Sequence, residues 1–321
     1  MARGGSMIRI IIAFVAAALS LTTVHAQDYP SRPVTMVVPF APGGTSDVIA
    51  RIVADQMGVA LGQRVVNENI AGAGGANAMN RFSNAAPDGY TIAIGNAGTN
   101  AAIYTIYPEL KFKPDAFEPV GIIAKTIGAL AARKDFPAAD LREFVAYAKK
   151  NPGDIKLGHA GIGSSNYLIC KTFIQAAGVD VTLVSYRGAA PALTDVMGGQ
   201  IDGVCDAATS VSGAILDNKV RGLAVAAPLR LATLPDVPTS AEGGLPEFEY
   251  QGWNALFAPK GTPPAIIARL NAAARAAVAT EIVQKRFRDL SSVPPTSEEL
   301  SPEFARRFIP GEIERFAKLL K

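Results

Sequence analysis

Short apolar runs alternate with amphipathic stretches along most of the chain. Runs at 34–38, 65–68 and 91–95 are bounded by turn residues and predict strands, with helix-period patterns between them at 47–61 and 75–85. A second series predicts helix at 140–150, strand at 155–157, helix at 164–177, strand at 181–184, helix at 190–198 and strand at 203–205. Asp140-Leu141-Arg142-Glu143 has the form of a capping box, Pro191 suits a first helical turn, and Gly178 and Gly199 fall where helices end. Such alternation predicts mostly parallel α/β sheets. The last third reads differently, with a strand at 256–258 and helices at 263–279, 281–290 and 302–321.

Glycine-rich loops recur between predicted strands and helices. The first, Pro39-Phe40-Ala41-Pro42-Gly43-Gly44-Thr45-Ser46-Asp47, lets the backbone approach a ligand at Gly43 and Gly44, where positive φ is expected. It then offers three N-cap residue types ahead of a helix beginning near Ser46. Unpaired amides at such a helix start form an anion site that needs no cationic side chain. The plainer alternative is a capped turn. The unit recurs at Gly95-Asn96-Ala97-Gly98-Thr99-Asn100, at His159-Ala160-Gly161-Ile162-Gly163-Ser164-Ser165-Asn166 and at Ser185-Tyr186-Arg187-Gly188-Ala189-Ala190. Loops at the carboxyl ends of strands in open α/β sheets converge on a ligand crevice. Four of them rich in Gly, Ser, Thr and Asn suit a small polar anion.

Residues 1–26 have the form of a secretory signal peptide: Arg3 and Arg9, an apolar stretch at 10–21, and Val24-His25-Ala26 as a small-x-small cleavage site, with Met7 as an alternative start. No apolar run is long enough to span a membrane, so a soluble protein outside the cytoplasmic membrane, in the periplasm, is expected. Losing that leader takes away two of 31 basic residues and none of the 28 acidic ones, so the mature balance is 29 to 28. A nearly neutral chain has no basic field for nucleic acid. With 49% hydrophobic residues it can bury an ample core.

Reactive groups are few. His159 is the only imidazole after residue 26, there is no Cys-x-x-Cys or H-E-x-x-H, and neither G-x-S-x-G nor a P-loop occurs. Gly72-Ala73-Gly74-Gly75-Ala76-Asn77 lacks the third glycine of a dinucleotide loop. No enzyme activity, cofactor or metal is expected. Cys170 and Cys205 are expected as two buried thiols rather than a bridge, although an oxidising compartment permits one.

Several motifs together resemble the extracytoplasmic receptors of the tripartite tricarboxylate transporter (Bug) family: Tyr29-Pro30-Ser31-Arg32-Pro33, the 39–47 loop, Glu68-Asn69-Ile70-Ala71-Gly72-Ala73-Gly74-Gly75 and Ala86-Pro87-Asp88-Gly89-Tyr90-Thr91. They continue in order through Tyr186-Arg187-Gly188-Ala189-Ala190-Pro191-Ala192, Leu234-Pro235-Asp236-Val237-Pro238-Thr239 and Ala258-Pro259-Lys260-Gly261-Thr262-Pro263. The resemblance implies a type II periplasmic-binding-protein fold, with two α/β lobes closing like a flytrap on a small carboxylate. Lobe one would comprise 27–124 and 226–321, and lobe two 125–225, with crossings near 122–126 and 224–227. It implies ligand contacts at Phe40, Ala41, Gly44, Thr45, Ser46, Asp47, Asn96, Ala97, Gly98 and Thr99 from the first lobe. Ala160, Gly161, Gly163, Ser164, Ser165, Arg187, Gly188 and Asp206 would contribute from the second.

The chain departs from the family's usual residues at His159, at Arg187, where lysine is usual, and at Asn166-Tyr167, where Pro-His is commoner. For Asp47 capping is as good a role as ligand contact; His159 and Trp253 are expected to be structural. The implied partners are the membrane subunits of a tripartite tricarboxylate-type transporter, with the receptor itself a monomer. Two alternatives share these residues: a co-receptor read by a membrane sensor kinase, and an exported hydrolase using His159 with Ser164 or Ser165. Cleavage after Ala26 leaves Gln27 as the first mature residue, so intact mass of protein from a periplasmic extract should equal that of 27–321. Full-length protein held in the cytoplasm would overturn the assignment.

Overall fold

The computed structural model describes residues 29–321; the expected leader and its Ala26–Gln27 cleavage site lie outside the described residues. Among the described residues ten strands form one continuous, strongly divided sheet. In the first half β1 (Val34–Val38) pairs in parallel with β2 (Val65–Asn69) and β3 (Thr91–Asn96). In the second half β5 (Lys156–His159) pairs in parallel with β6 (Thr182–Ser185) and β7 (Gly203–Ala207). The strand–helix alternation thus produces parallel pairs in each half.

What joins the halves is β4 (Phe117–Arg133), a 17-residue strand buried along nearly its whole length. Its first part, through Ile127, pairs antiparallel with β9 (Gln251–Pro259); from Gly128 on it pairs with β7 and with β8 (Val220–Val225). Near-continuous apolar character marks a strand covered on both faces, and here it lets one strand serve two sheets. The crossing expected at 122–126 lies within β4. Ala224 and Val225, expected at the return crossing, lie inside β8 in the second sheet. The chain stays with that half, burying Leu234 and Val237 beside Val204 and Leu245 and Phe248 beside Phe173, until Gln251 opens β9. Irregular backbone between 226 and 250 hides this from a periodicity argument.

Helices cover the sheet: α1 (Thr45–Leu61), α2 (Ala76–Ser83), α3 (Ile103–Ile106), α4 (Leu141–Lys150), α5 (Ser165–Ala177), α6 (Ala189–Met197), α7 (Ala208–Leu216), α8 (Pro264–Ala279), α9 (Glu281–Asp289) and α10 (Pro302–Leu319). Asp140 caps α4 by accepting from Glu143 N at 2.9 Å, while Glu143 reaches back to Ala139 N at 2.7 Å, one residue earlier than the standard capping box. Helix α1 starts at Thr45, earlier than expected, with Gly44 at its N-cap. Thr45, Ser46 and Asp47 therefore occupy the first turn, and none of them is the cap. Gly43 has the positive φ the loop predicts, +89°, but Gly44 is extended at −86°.

Cys170 and Cys205 form a disulfide with Cα atoms 5.2 Å apart. This corrects the expectation of two thiols. Cys170 lies one turn into the packed face of α5, directly over β7, well inside the roughly 7 Å a bridge requires. Thiol titration under denaturing, non-reducing conditions should find no free thiol among these two. Reduction should lower the unfolding free energy by about 4 kcal/mol, the chain-entropy value for a loop closed across 35 residues. A second check is the melting temperature with and without reductant.

Candidate ligand-binding site

The carboxyl ends of the parallel strands in both halves face one cleft. From the first half it is lined by Phe40, Gly44, Thr45, Ser46 and Asn96, and from the second by Ala160, Ser165, Asn166, Ile169, Ala189 and Ala207. Thr126 of β4, Tyr250 and Asn254 of β9 form the wall where the halves join. No Lys, Arg or His is among these residues. Helices α1, α5, α6 and α7 all begin at the cleft. The first three amides of an α-helix have no intrahelical acceptor, and α1, α6 and α7 have no side-chain cap. Their N-termini therefore present partial positive charge and free N–H groups to the space between them.

Not every expected amide is free. Asn96 Oδ1 accepts from Gly98 N at 2.9 Å and Thr99 N at 3.1 Å, closing the π-helical turn Gly98–Ala102. Asn96 Nδ2 donates to Ser46 Oγ, which donates to Asn254 Oδ1 at 3.1 Å. This buried network is satisfied within the protein and ties three elements to one geometry. Two lining hydroxyls, Thr45 Oγ1 and Tyr250 OH, are buried without any hydrogen-bond partner, a condition that costs about 1–3 kcal/mol unless something supplies the bond.

Asp47 lies behind the loop. It accepts from Gly43 N and from Asn69 Nδ2, each at 2.9 Å, and pairs with Arg51. Burial pushes its pKa up, but the hydrogen bonds from Arg51, Gly43 and Asn69 outweigh that and the net shift is down. It shapes the loop rather than lining the cleft. Asp206 is also set back: Oδ1 accepts from Asn166 Nδ2 at 2.6 Å and Ala207 N at 2.7 Å. Ala97 and Thr99 are buried in the first half.

The remaining expected residues make the contact between the halves. Ala41 N donates to Arg187 O at 3.3 Å, and a Cβ on Gly188 would meet Ala41 Cβ at 3.0 Å. Gly98 faces Gly163, Ser164 and Ser165 so closely that a Cβ would stand 2.6 Å from Ser165 N. A Cβ on Gly161 would stand 3.0 Å from Gly74 N. Arg187 itself is exposed at the rim, and only its carbonyl takes part.

His159 is 1% exposed and its Nδ1 accepts from Gly161 N at 3.1 Å. Ser164 Oγ caps α5 by accepting from Tyr167 N. Both are engaged in backbone geometry, as the structural role expected for His159 requires. Trp253 is buried, donating Nε1–H to Glu312 of α10 at 2.9 Å. Thr126, Ile169, Tyr250 and Asn254 escaped the sequence argument, which sought glycine loops. Thr126 and Asn254 sit on the joining strands, Tyr250 just before β9 and Ile169 one turn into α5, where no local pattern marks a lining residue.

The fold is that of a two-lobe periplasmic binding protein, and comparison with known proteins bears this out. Residues 49–321 match the family model of the tripartite tricarboxylate transporter family receptor. MatC from Rhodopseudomonas palustris, solved with bound malate, is 39% identical with a TM-score of 0.88, covering 91% of this chain and 100% of its own. The periplasmic binding protein BugD is 37% identical (TM-score 0.87; 91% and 97% covered). A second R. palustris protein, solved with adipate, is 32% identical (TM-score 0.86; 91% and 97% covered). The chain belongs to the tripartite tricarboxylate transporter receptor (Bug) family, a family of solute-binding receptors and not of enzymes.

Two buried groups give the stability an opposed pH dependence. Burial lowers the His159 pKa to about 4, only partly offset by the Gly161 bond. Burial raises that of Asp206 to about 6 against hydrogen bonds from Ser210, Ala207 and Asn166. For His159 the folded value lies below the unfolded one, so its contribution falls as pH drops from 6.5 toward 4; for Asp206 it lies above, so its contribution falls as pH rises from 3.8 toward 6. Each variant should unmask the other group. Asp206→Asn should make denaturant-measured stability fall more steeply below pH 6.5, and His159→Gln should make it rise over the same interval. The limit per group is about 1.4 kcal/mol per pH unit.

Proposed function

We propose that this protein is a periplasmic receptor that captures a small carboxylate and delivers it to the membrane subunits of a tripartite tricarboxylate-type transporter. The observation that carries the reading is the convergence of uncapped helix N-termini on a cleft with no cationic side chain. A carboxylate there would take hydrogen bonds from amides of Thr45 and Ser46, and the unpartnered Thr45 and Tyr250 hydroxyls would supply more. Malate and adipate in related receptors accord with the ligand class.

The mechanism is a population shift. The halves meet through backbone and small side chains, and the cleft between them is left with about 30 Å³. One water needs roughly 10–15 Å³ of such space, so the lobes must part to admit a ligand and close over it. The moving bodies are the two sheet halves, and the hinge is β4 together with the Tyr250–Gln251 junction. A ligand that bridges both favours the closed form by its differential affinity. Glycine at the contact is required because closure brings Gly98 against Ser165 N.

A thermal-shift screen of the mature protein against mono-, di- and tricarboxylates should find at least one that raises Tm. Arg187→Met should weaken binding less than about threefold, because no ion pair is lost. Gly98→Ala should weaken it by roughly tenfold or more with unchanged circular dichroism, an effect of about 1.4 kcal/mol. Gly44→Val should nearly abolish binding for a spatial reason: a Cβ already stands 3.4 Å from Ala189 Cβ, and the extended φ itself tolerates any residue. Calorimetry decides between models. Complete loss in Arg187→Met with binding intact in both glycine variants would mean a side-chain ion pair and overturn the reading.

A further inference from the structure

A second cavity lies in the first half, and none of its lining residues lines the cleft. Helix α10 packs against β4 and leaves a groove of about 240 Å³. The buried Phe117 and Phe257 line it together with the half-buried Tyr104, Ile309 and Ile313. Its three rings belong to one edge-to-face series. Phe117 stands 6.3 Å from Phe257 and 5.4 Å from Phe112, and Phe112 stands 6.1 Å from Tyr104. An apolar cavity of about 150 Å³ is enough to hold one benzene. This groove has room for one ring with a short substituent.

One polar side chain in the groove lacks a partner. Asn100, on the π-helical turn Gly98–Ala102, is 2% exposed and lines the groove. Its Oδ1 accepts from Thr99 Oγ1 at 2.7 Å. That hydroxyl has one proton to give, and its other acceptors stand 3.5 Å away, which sets the orientation of the Asn100 amide. Among the described residues nothing accepts from Asn100 Nδ2. A buried donor of this kind is unfavourable until an acceptor reaches it. Water serves it poorly between rings and aliphatic chains, since an ordered water needs about two to four polar partners. The charges at the rim are already paired: Arg306 with Glu118 at 3.5 Å and Glu303 at 3.4 Å, and Asp115 with Lys260 at 2.6 Å. A charged occupant would find no free counter-charge among them.

We propose that this groove is a second binding site, separate from the cleft, for a neutral aromatic molecule that carries a carbonyl group. The ring packs against Tyr104, Phe117 and Phe257, and the carbonyl oxygen accepts from Asn100 Nδ2. Aromatic rings meeting edge to face gain beyond the burial of their area, and the carbonyl supplies the one acceptor that Asn100 lacks. The site does not depend on what the cleft binds. It does adjoin the contact between the halves: Gly98, two residues before Asn100 on the same turn, has its amide 3.4 Å from Ser165 Oγ of the second half. An occupant bonded to Asn100 therefore holds the element that meets the other lobe.

The test is amide-detected NMR on the disulfide-bonded mature protein, titrated with acetophenone, ethylbenzene and cyclohexyl methyl ketone. Acetophenone should shift the Asn100 side-chain amide and residues 305–313 saturably, with a dissociation constant of roughly 1 mM, as suits so small a ligand. Ethylbenzene has the same shape without the carbonyl and should bind roughly fivefold more weakly, the worth of one net hydrogen bond. The saturated-ring ketone should be weaker by about threefold or more. Ile309→Trp should fill the groove and abolish the shifts, whereas Gly44→Val, which obstructs the cleft, should leave them unchanged. Equal binding of acetophenone and ethylbenzene, shifts at cleft residues alone, or no saturable shift would each overturn the inference and leave the receptor reading intact. Acetophenone bound here by a protein that takes no carboxylate would do the reverse. Should Ile309→Trp fail to fold, the three probes on wild type decide.

Discussion

Backbone amides that a helix cannot pair are the constraint around which this molecule is arranged. Each of four helices begins at the cleft with N–H groups lacking an intrahelical acceptor, and three of those starts have no side-chain cap. Burying such donors unpaired is unfavourable, yet the fold gathers them in one place and keeps side-chain cations away. The arrangement is stable because the amides remain reachable by water or an anion. It also makes the site's charge a property of the backbone, which substitution of any one side chain barely alters.

That gathering depends on β4. A strand that pairs with β9 over one stretch and with β7 and β8 over the next sets two parallel sheets with their carboxyl ends face to face. The opposing loops then touch where glycine or alanine leaves the backbone bare: Gly98 on Gly163–Ser165, Gly188 on Ala41, Gly161 on Gly74. Close backbone approach alone calls for glycine at Gly98 and Gly188, whereas Gly161 and Gly74 combine it with positive φ of +109° and +59°. The C-terminal helix α10 returns to brace this half, through Phe316 in its core and the Trp253–Glu312 bond.

The side chains that were natural candidates for charge chemistry have other work. Asp47 organises its loop with Arg51, Asn69 and Gly43. His159 stays neutral by burial, and its Nδ1 accepts from the Gly161 amide. Asp206, behind the cleft wall, accepts from Asn166 Nδ2 and Ala207 N.

Most element types, their order and the glycine loops were legible in the chain itself, because strand and helix leave different hydrophobic periods and loop glycines stand between them; β4 and β8 were not read as strands. The contacts at Phe40, Gly44, Thr45, Ser46, Asn96, Ala160 and Ser165, which line the cleft, came from the resemblance to a receptor family. The resemblance to a receptor family added the two-lobe architecture. Only tertiary structure decided the rest. The extent of β4 and the late return at Gln251 follow from strand pairing, which no local window records. Thr126, Tyr250 and Asn254 line the cleft because the joining strands pass its floor. Gly98 and Thr99 drop out as donors because Asn96 folds back on them. The Cys170–Cys205 bridge exists because α5 packs over β7. Periodicity fixes which face of an element is buried; what that face meets is a matter of packing between residues far apart in sequence.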